Sequence, residues 1–333
     1  MRHALGSGVR GYVGMAWDVA CFGELFVDLV PHSKVDGKWL YAPSPGGAPG
    51  NVAVGLAKLS HLALMMSRVG DEGFGRLLVQ ALQDYGVDAS GVVLSPTEKT
   101  GVSIVTLDAR GDRSFMFYHD SPADFHIDPA DVRSDVVGGV EILHVGVLPL
   151  ASDISARAQR KAMDIADAEG VIVSCDLNFR PKLWRDAADM LVAGRELVSR
   201  SAIVKVSEEE LQVLEGGRGM DDAVSSLWHG GLRLFSVTRG AEGAVLYAPD
   251  GKWVCDGFKV DAVDTTGAGD AYTATLLSGV LREQPNDHLV ISACAAGALA
   301  ATRRGAMESL PTASEISALM AAQSVSVSFH QRS

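Results

Sequence analysis

Seven residues in the last quarter of the chain, Asp264-Thr265-Thr266-Gly267-Ala268-Gly269-Asp270, are the ones best suited to chemistry. Gly267, Ala268 and Gly269 carry almost no side chain, so their backbone N–H groups can converge on an anion. A β-like run from Gly257 to Val263 precedes them, and a small-residue segment from Ala271 to Leu281 reads as a helix opening behind them. The start of a helix offers unpaired N–H donors and the positive end of the helix dipole. Asp270 falls in that first turn, and an ordinary aspartate is ionised at neutral pH. A cradle for an anion with a carboxylate beside it suits phosphoryl transfer to a hydroxyl. The cradle meets charge on the phosphoryl oxygens, and the carboxylate takes the proton of the attacking oxygen.

Further stretches have polar residues where a ligand could be met, and each has a second, plainer reading. Gly46-Gly47-Ala48-Pro49-Gly50-Asn51 is either a turn with Asn51 capping the next helix or a loop offering Asn51 to hydroxyls. Asp28, within the apolar run Leu25–Val30, either faces solvent or reaches into a cleft, because a buried unpaired carboxylate is costly. Asp176 to Trp184 follows an apolar strand, with Asn178 and Arg180 at the crevice end of a sheet or in an ordinary helix-entry loop. Lys205-Val206-Ser207-Glu208-Glu209-Glu210 is a solvated first turn or a place where one glutamate orders the waters of Mg²⁺. Thr238 to Gly243, with glycines at 240 and 243, reads as a nucleotide-contact turn.

The elements that must hold these residues alternate along the chain. Strand-like runs at Asp18–Phe22, Leu25–Val30, Ala63–Val69, Glu141–Val145, Val171–Cys175, Ala202–Val206, Leu234–Thr238 and Ala244–Tyr247 are interleaved with helical patterns at Asn51–Leu59, Phe74–Tyr85, Ser155–Ala168 and Ala187–Val198. Near-continuous apolar strands between amphipathic helices predict an α/β fold with a parallel, doubly wound sheet. Two segments break the rhythm: Lys34–Tyr41 has hairpin character, and Thr100–Asp108 and Ser114–Tyr118 alternate strongly about the polar turn 109–113. These predict either a small β-sheet serving as a lid or an edge hairpin.

Bulk properties remove several classes. With 333 residues and 47% hydrophobic content, the chain can build one large core. It has 29 basic and 41 acidic side chains, a net charge of −12, which argues against nucleic acid or an anionic membrane as partner. No apolar run approaches the ~18 residues of a membrane span. Four widely separated cysteines and nine histidines without metal-ligand spacing point to free thiols in a reducing cytoplasm rather than to zinc. Residues 1–17 read as a disordered extension rather than a signal peptide. The GxxxxGK[ST], HRD and DFG signatures of other phosphotransferases are absent.

The motifs together resemble the ribokinase-like (PfkB) family of carbohydrate kinases, from about Val19 to about Ala322. The resemblance implies a doubly wound, mostly parallel sheet with helices on both faces. A small β-sheet lid from about 31–45 and 98–122 would complete a domain over 18–325, with a tail at 326–333. It implies ATP and Mg²⁺ as cofactors, a small sugar as the other partner, and pairing of two copies through the lid. Asp270 would be the base, Gly267, Ala268 and Gly269 the anion hole, and Arg180 an assisting cation. Asp28, Gly46, Gly47, Asn51, Phe117, His119 and Asn178 would meet the sugar. Lys205, Ser207, Glu210, Thr238, Gly240 and Gly243 would meet the nucleotide. The family's Asn-x-x-Glu motif is half kept, with Ser207 in place of Asn. Asp264, Thr266, Ala300, Arg303, Gly305 and Ser309 match the positions that hold a monovalent cation such as K⁺, mostly through backbone atoms. Gly46–Ala53, Phe115-Met116-Phe117-Tyr118 and Asp176-x-Asn178-x-Arg180-Pro181-x-Leu183-Trp184 are most similar to fructokinases, with His119 where plant members carry Arg. The last of these is shared with 2-keto-3-deoxygluconate kinases, the second alternative. Adenosine kinase and a non-catalytic sugar-binding regulator of the same fold stand behind them.

Overall fold

The computed structural model describes residues 17–107, 113–118 and 121–331. His119, the turn 108–112 and the N-terminal extension up to residue 16 lie outside the described residues.

Two sheets are present among the described residues. The larger contains β1 (Val19–Phe22), β4 (Ala63–Gly70), β5 (Asp88–Ser95), β8 (Ile142–Gly146), β9 (Ile172–Asp176), β10 (Ile203–Ser207) and β11 (Leu234–Thr238), all parallel. Three antiparallel strands extend its edge: β12 (Ala244–Ala248), β13 (Gly251–Cys255) and β14 (Val327–Gln331). Its order is β14-β13-β12-β11-β10-β9-β8-β1-β4-β5. The smaller sheet has the order β3-β2-β6-β7, from β2 (Phe26–Val35), β3 (Lys38–Gly46), β6 (Gly101–Leu107) and β7 (Arg113–Tyr118).

The helices are α1 (Ala48–Lys58), α2 (Gly73–Asp84), α3 (Ser134–Val137), α4 (Asp153–Glu169), α5 (Ala187–Ser199), α6 (Glu208–Leu214), α7 (Met220–Leu227), α8 (Ala268–Leu281), α9 (Asn286–Ala301) and α10 (Ala313–Ala322). Alternation along the strands sorts them to two faces. In β1, Val19 and Cys21 join a core with α1, α2, α8, α9 and α10, while Ala20 and Phe22 join one with α3 to α7. All four cysteines are free and buried in these cores. Among the described residues, no helix is long and apolar enough to cross a membrane.

The chain order reverses beside β1, which has β4 on one side and β8 on the other. Crevices at such points collect ligands at the C-terminal ends of parallel strands. The glycine-rich loop before α1 sits there: a side chain on Gly23, after β1, would strike Pro49, and Pro49 also lies within contact distance of a Cβ on Gly146, at the end of β8.

The sequence reading needs four adjustments. The run Gly257–Val263 carries no strand; β13 ends at Cys255, and an irregular connection leads to α8, which starts three residues earlier than expected. β5, β13 and β14 escape the pattern because each is short or half exposed and lacks a clean apolar run. β14 also takes residues 327–331 into the main sheet as an edge strand. Trp17 is tied to the domain through Nε1–H donated to Asp88 Oδ2 at 2.9 Å.

The close approach of α1 to α8 depends on Gly55. A Cβ built there would lie 2.6 Å from the Cβ of Ala274. In an open helix, Gly→Ala gains up to about 1 kcal/mol of propensity. Here overpacking of about 1–3 kcal/mol should outweigh it. Gly55→Ala is therefore expected to lower the urea midpoint without changing the slope, and a raised midpoint would show that the two helices separate freely.

Candidate active site

The turn before α8 has the geometry its sequence implies. Gly267 caps the helix with φ +80°, and a Cβ there would lie 3.1 Å from the Ala306 carbonyl oxygen. Both facts call for glycine. On the other side of the turn, a Cβ on Gly269 would lie 3.1 Å from Lys205 Nζ. The bare backbone of 267–269 thus faces a buried ammonium across a gap that a side chain would fill.

Asp270, in the first turn of α8, is buried. Its Oδ2 accepts a 2.7 Å hydrogen bond from Asn51 Nδ2, in the first turn of α1. Burial pushes its carboxyl up to about 6; the Asn51 bond opposes this, Asp176 adds to it, and the cations Lys205 and Arg180 oppose it. The amide oxygen of Asn51 is buried without a partner and adjoins the same space.

The strand ends complete the floor. Lys205 of β10 lies 3.1 Å from Asp176 of β9, both buried. Ser207 and Glu210 form a capping box: Glu210 N–H donates to Ser207 Oγ at 3.1 Å, and Ser207 N–H donates to Glu210 Oε2 at 2.8 Å. Ser caps a helix as Asn does, which explains its tolerance here. Glu210 Oε1 also accepts the Phe179 N–H at 2.7 Å, so this carboxylate fastens the loop after β9. In that loop Asn178 has φ +38°, and the exposed Arg180 folds over its own strand end with Nη1 donating to the Phe179 carbonyl at 3.0 Å. Arg180 is near enough to favour the ionised forms of both Asp270 and Glu24. Thr238 ends β11 with its hydroxyl donating to the Val206 carbonyl at 3.3 Å. Gly240 and Gly243 have φ +55° and +97°, and a Cβ on Gly243 would meet the Cys255 carbonyl.

Asp28 and Phe117 come together in the small sheet. Register places Ser44, Asp28, Ser103 and Phe117 in one row across β3, β2, β6 and β7. The Ser103 hydroxyl donates to Asp28 Oδ1, and Phe117 meets Phe26 edge to face at 6.3 Å between ring centres. Gly46 leaves room for Asp28 Oδ2, 2.9 Å from where its Cβ would be. Gly47, at φ +111°, passes so close to the Glu24 carbonyl oxygen that a Cβ would stand 2.3 Å away. Asp28 is therefore a buried member of a row leading to the glycine loop, rather than solvent-facing.

The expected cation positions lie on two adjoining loops. Asp264 Oδ1 accepts the Thr266 N–H and hydroxyl, and its Oδ2 accepts the Gly305 N–H at 3.0 Å. Ser309 is buried with its hydroxyl donated to the Ala306 carbonyl, and the Ala300 carbonyl accepts Arg303 N–H at 3.2 Å. The Arg303 guanidinium turns away to Glu315 on α10, leaving only its backbone toward this loop.

Sequence reasoning gave no site role to Asp176 or Glu24. Asp176 ends an apolar strand, the same signal that singled out Asp28. Glu24 follows β1 at the order reversal; it is buried, with Oε2 unpartnered, and burial pushes its carboxyl up to about 7.

Comparison with known proteins agrees with this geometry. The model of the pfkB family of carbohydrate kinases matches residues 18–313. Fructokinase-1 of Oryza sativa subsp. japonica is 36% identical over 315 residues, covering 91% of this chain and 97% of its own. The fold superposes on a double mutant of Vibrio cholerae O395 fructokinase, solved with fructose, ADP and potassium ion, at TM-score 0.82 and 34% identity, covering 91% and 98% of the two chains. A putative ribokinase II from E. coli, in complex with ATP and Mg²⁺, gives TM-score 0.85 at 28% identity, covering 92% and 100%. The chain belongs to the pfkB family of carbohydrate kinases, enzymes that phosphorylate an alcohol group of a sugar.

Proposed function

We propose that the protein is an ATP-dependent fructokinase that converts D-fructose to fructose 6-phosphate. One observation carries the mechanism: a buried carboxylate, Asp270, is held by Asn51 beside a glycine turn at the head of a helix. The fructokinase relatives support fructose as the acceptor.

In this reading the ketohexose lies between the main sheet and the small sheet. Asp28, Gly46, Gly47, Asn51, Phe117 and Asn178 meet its hydroxyls and ring. Asp270 takes the proton of the terminal CH₂OH as its oxygen bonds to the γ-phosphorus of ATP, and the bond from that phosphorus to the β,γ-bridging oxygen breaks to leave ADP. The N–H groups of 267–269 face the phosphoryl oxygens, with Lys205 and Arg180 supplying positive charge. Thr238, Gly240 and Gly243 line the nucleotide side. The small sheet acts as a lid that keeps water, a competing acceptor, from the phosphoryl group.

The oxygen-rich floor fits the metals its relatives bind. Glu210 would hold Mg²⁺ through water, next to the buried Asp176 and Asp270. Bound there with ATP, the ion neutralises phosphate charge. Asp264, Thr266, Ala300, Arg303, Gly305 and Ser309 offer carbonyl, hydroxyl and carboxylate oxygens suited to K⁺. The free, buried thiols fit a reducing cytoplasm. The exposed apolar side chains Val35, Trp39, Leu40, Tyr41, Met116 and Tyr118 on the small sheet fit pairing with a second copy.

Three measurements test this reading. Asp270→Asn keeps an oxygen for Asn51 to donate to, so its circular dichroism should match the parent while turnover falls at least about 10²-fold; near-normal ADP release with fructose would remove Asp270 from the base role. Since Asp270 must be ionised to accept the proton, kcat/KM should be flat at neutral pH and drop about tenfold per pH unit below about 6. A profile flat down to pH 4 would contradict it. Leu40→Glu should convert a dimer to a monomer in sedimentation velocity, whereas a monomeric parent would dismiss the pairing.

A further inference from the structure

Asp176 takes no part in the mechanism above, yet it joins three elements of the site. It ends β9 and is 2% exposed. Lys205 Nζ lies 3.1 Å from its Oδ2 and 3.2 Å from its Oδ1. The Thr273 hydroxyl on α8 lies 3.2 Å from Asp176 Oδ2 and 3.0 Å from the Gly269 carbonyl, sharing its one proton between them. One carboxylate therefore fixes an ammonium on β10 against the helix that carries the anion turn.

The need for this follows from the other charges present. Three carboxylates face the Lys205 ammonium: the buried Asp176 and Asp270 and the half-buried Glu210. Glu210 already accepts two backbone N–H groups. Among the described residues, Asp270 accepts the amide of Asn51 at Oδ2, and in the proposed reaction its other oxygen has to meet the acceptor hydroxyl. An ammonium released from Asp176 would be drawn to the two carboxylates left to it, Glu210 and Asp270. Either move would take it from the Gly269 side of the turn, and the move to Asp270 would also occupy the base.

We propose that Asp176 is a positioning residue: it holds the Lys205 ammonium against the anion turn and away from Asp270, so that cation and base stay separate. This rests on the phosphoryl-transfer reading of the site. The groups that face Asp270 are Asn51 from α1, Glu24 after β1, Asp176 from β9, Arg180 after it, and Lys205 from β10. Removing Asp176 takes away a negative neighbour and frees the ammonium to approach Asp270, so both changes favour ionised Asp270. Removing Lys205 does the opposite.

The test is kcat and the pH profile of kcat/KM for Asp176→Asn and Lys205→Met, with thermal melting as control. For Asp176→Asn, kcat should fall at least about tenfold, KM for the sugar should stay within about twofold, and the acid limb should move to lower pH. For Lys205→Met the acid limb should move to higher pH. The fall in kcat at unchanged KM is the signature of positioning, and the opposite displacements show that both charges reach Asp270, which general loosening of the fold would not produce. An Asp176→Asn enzyme with parental kcat and an unmoved acid limb overturns the proposal. Should the unpaired ammonium unfold that variant, Asp176→Glu carries the test: it keeps the charge pair but displaces the ammonium, and parental kcat in it is equally decisive against the proposal. A wild-type enzyme that releases no ADP with any ketohexose defeats the kinase reading instead, which separates the two failures.

Discussion

The hydrogen bond from Asn51 to Asp270 spans 219 positions of sequence and joins the two glycine-rich segments on which the site rests. Neither residue could make it unless α1 and α8 packed almost backbone to backbone. Gly55 permits that, with a separation that even an alanine would violate. At the other end of α1, Lys58 Nζ donates to the carbonyls of Met307 and Leu310 at 2.8 and 2.9 Å. The loop it holds presents the Ala306 carbonyl that crowds Gly267. One helix therefore braces Asp270 at its start and the back of the 267–269 turn at its end.

That arrangement opposes stability. Burial pushes the Asp270 carboxyl up to about 6, so keeping it ionised at neutral pH costs the fold on the order of 2–3 kcal/mol. The sign follows from a folded value raised above the unfolded one: this contribution is favourable in acid and is lost as pH rises toward 6. The same burial strengthens attraction between Asp270 and a hydroxyl proton, because water cannot screen it. A solvated aspartate would be easier to fold around and a weaker base, so the proposed role of Asp270 trades local stability for basicity.

Much of this was legible in the sequence, because the most constrained positions are also the most unusual in composition. Three small residues followed by an acid at a helix start have few structural uses, and Gly267 and Gly47 stand at backbone angles that favour glycine. Long apolar strands and amphipathic helices gave the α/β order for the same reason: burial on both faces leaves a continuous apolar run. What stayed hidden depends on partners distant in sequence. Asp176 looks like a loop residue until Lys205 and Thr273 are seen against it. Glu24 looks like a turn residue until Gly47 is found over its carbonyl. The antiparallel edge strands β13 and β14 carry mixed faces, and no single-chain periodicity distinguishes them from a loop.

The division into two sheets separates the two things such a site must do. The groups proposed to act on phosphate, the 267–269 turn, Lys205 and Asp270, sit on the main sheet and its helices, where β10, which carries Lys205, is fixed by a neighbour on each side. Asp28, Ser103 and Phe117 sit in one row of a four-stranded sheet whose outer strands β3 and β7 are unpaired edges among the described residues. Small sheets with open edges and exposed apolar side chains have little local stability, so they yield first when the molecule moves. In the proposed reading, placing recognition on the compliant sheet and transfer on the rigid one would let a bound sugar close the cleft without disturbing the spacing of the charges beneath it. The glycine loop 46–51 connects them, since it leaves the small sheet at Gly46 and enters α1 at Ala48.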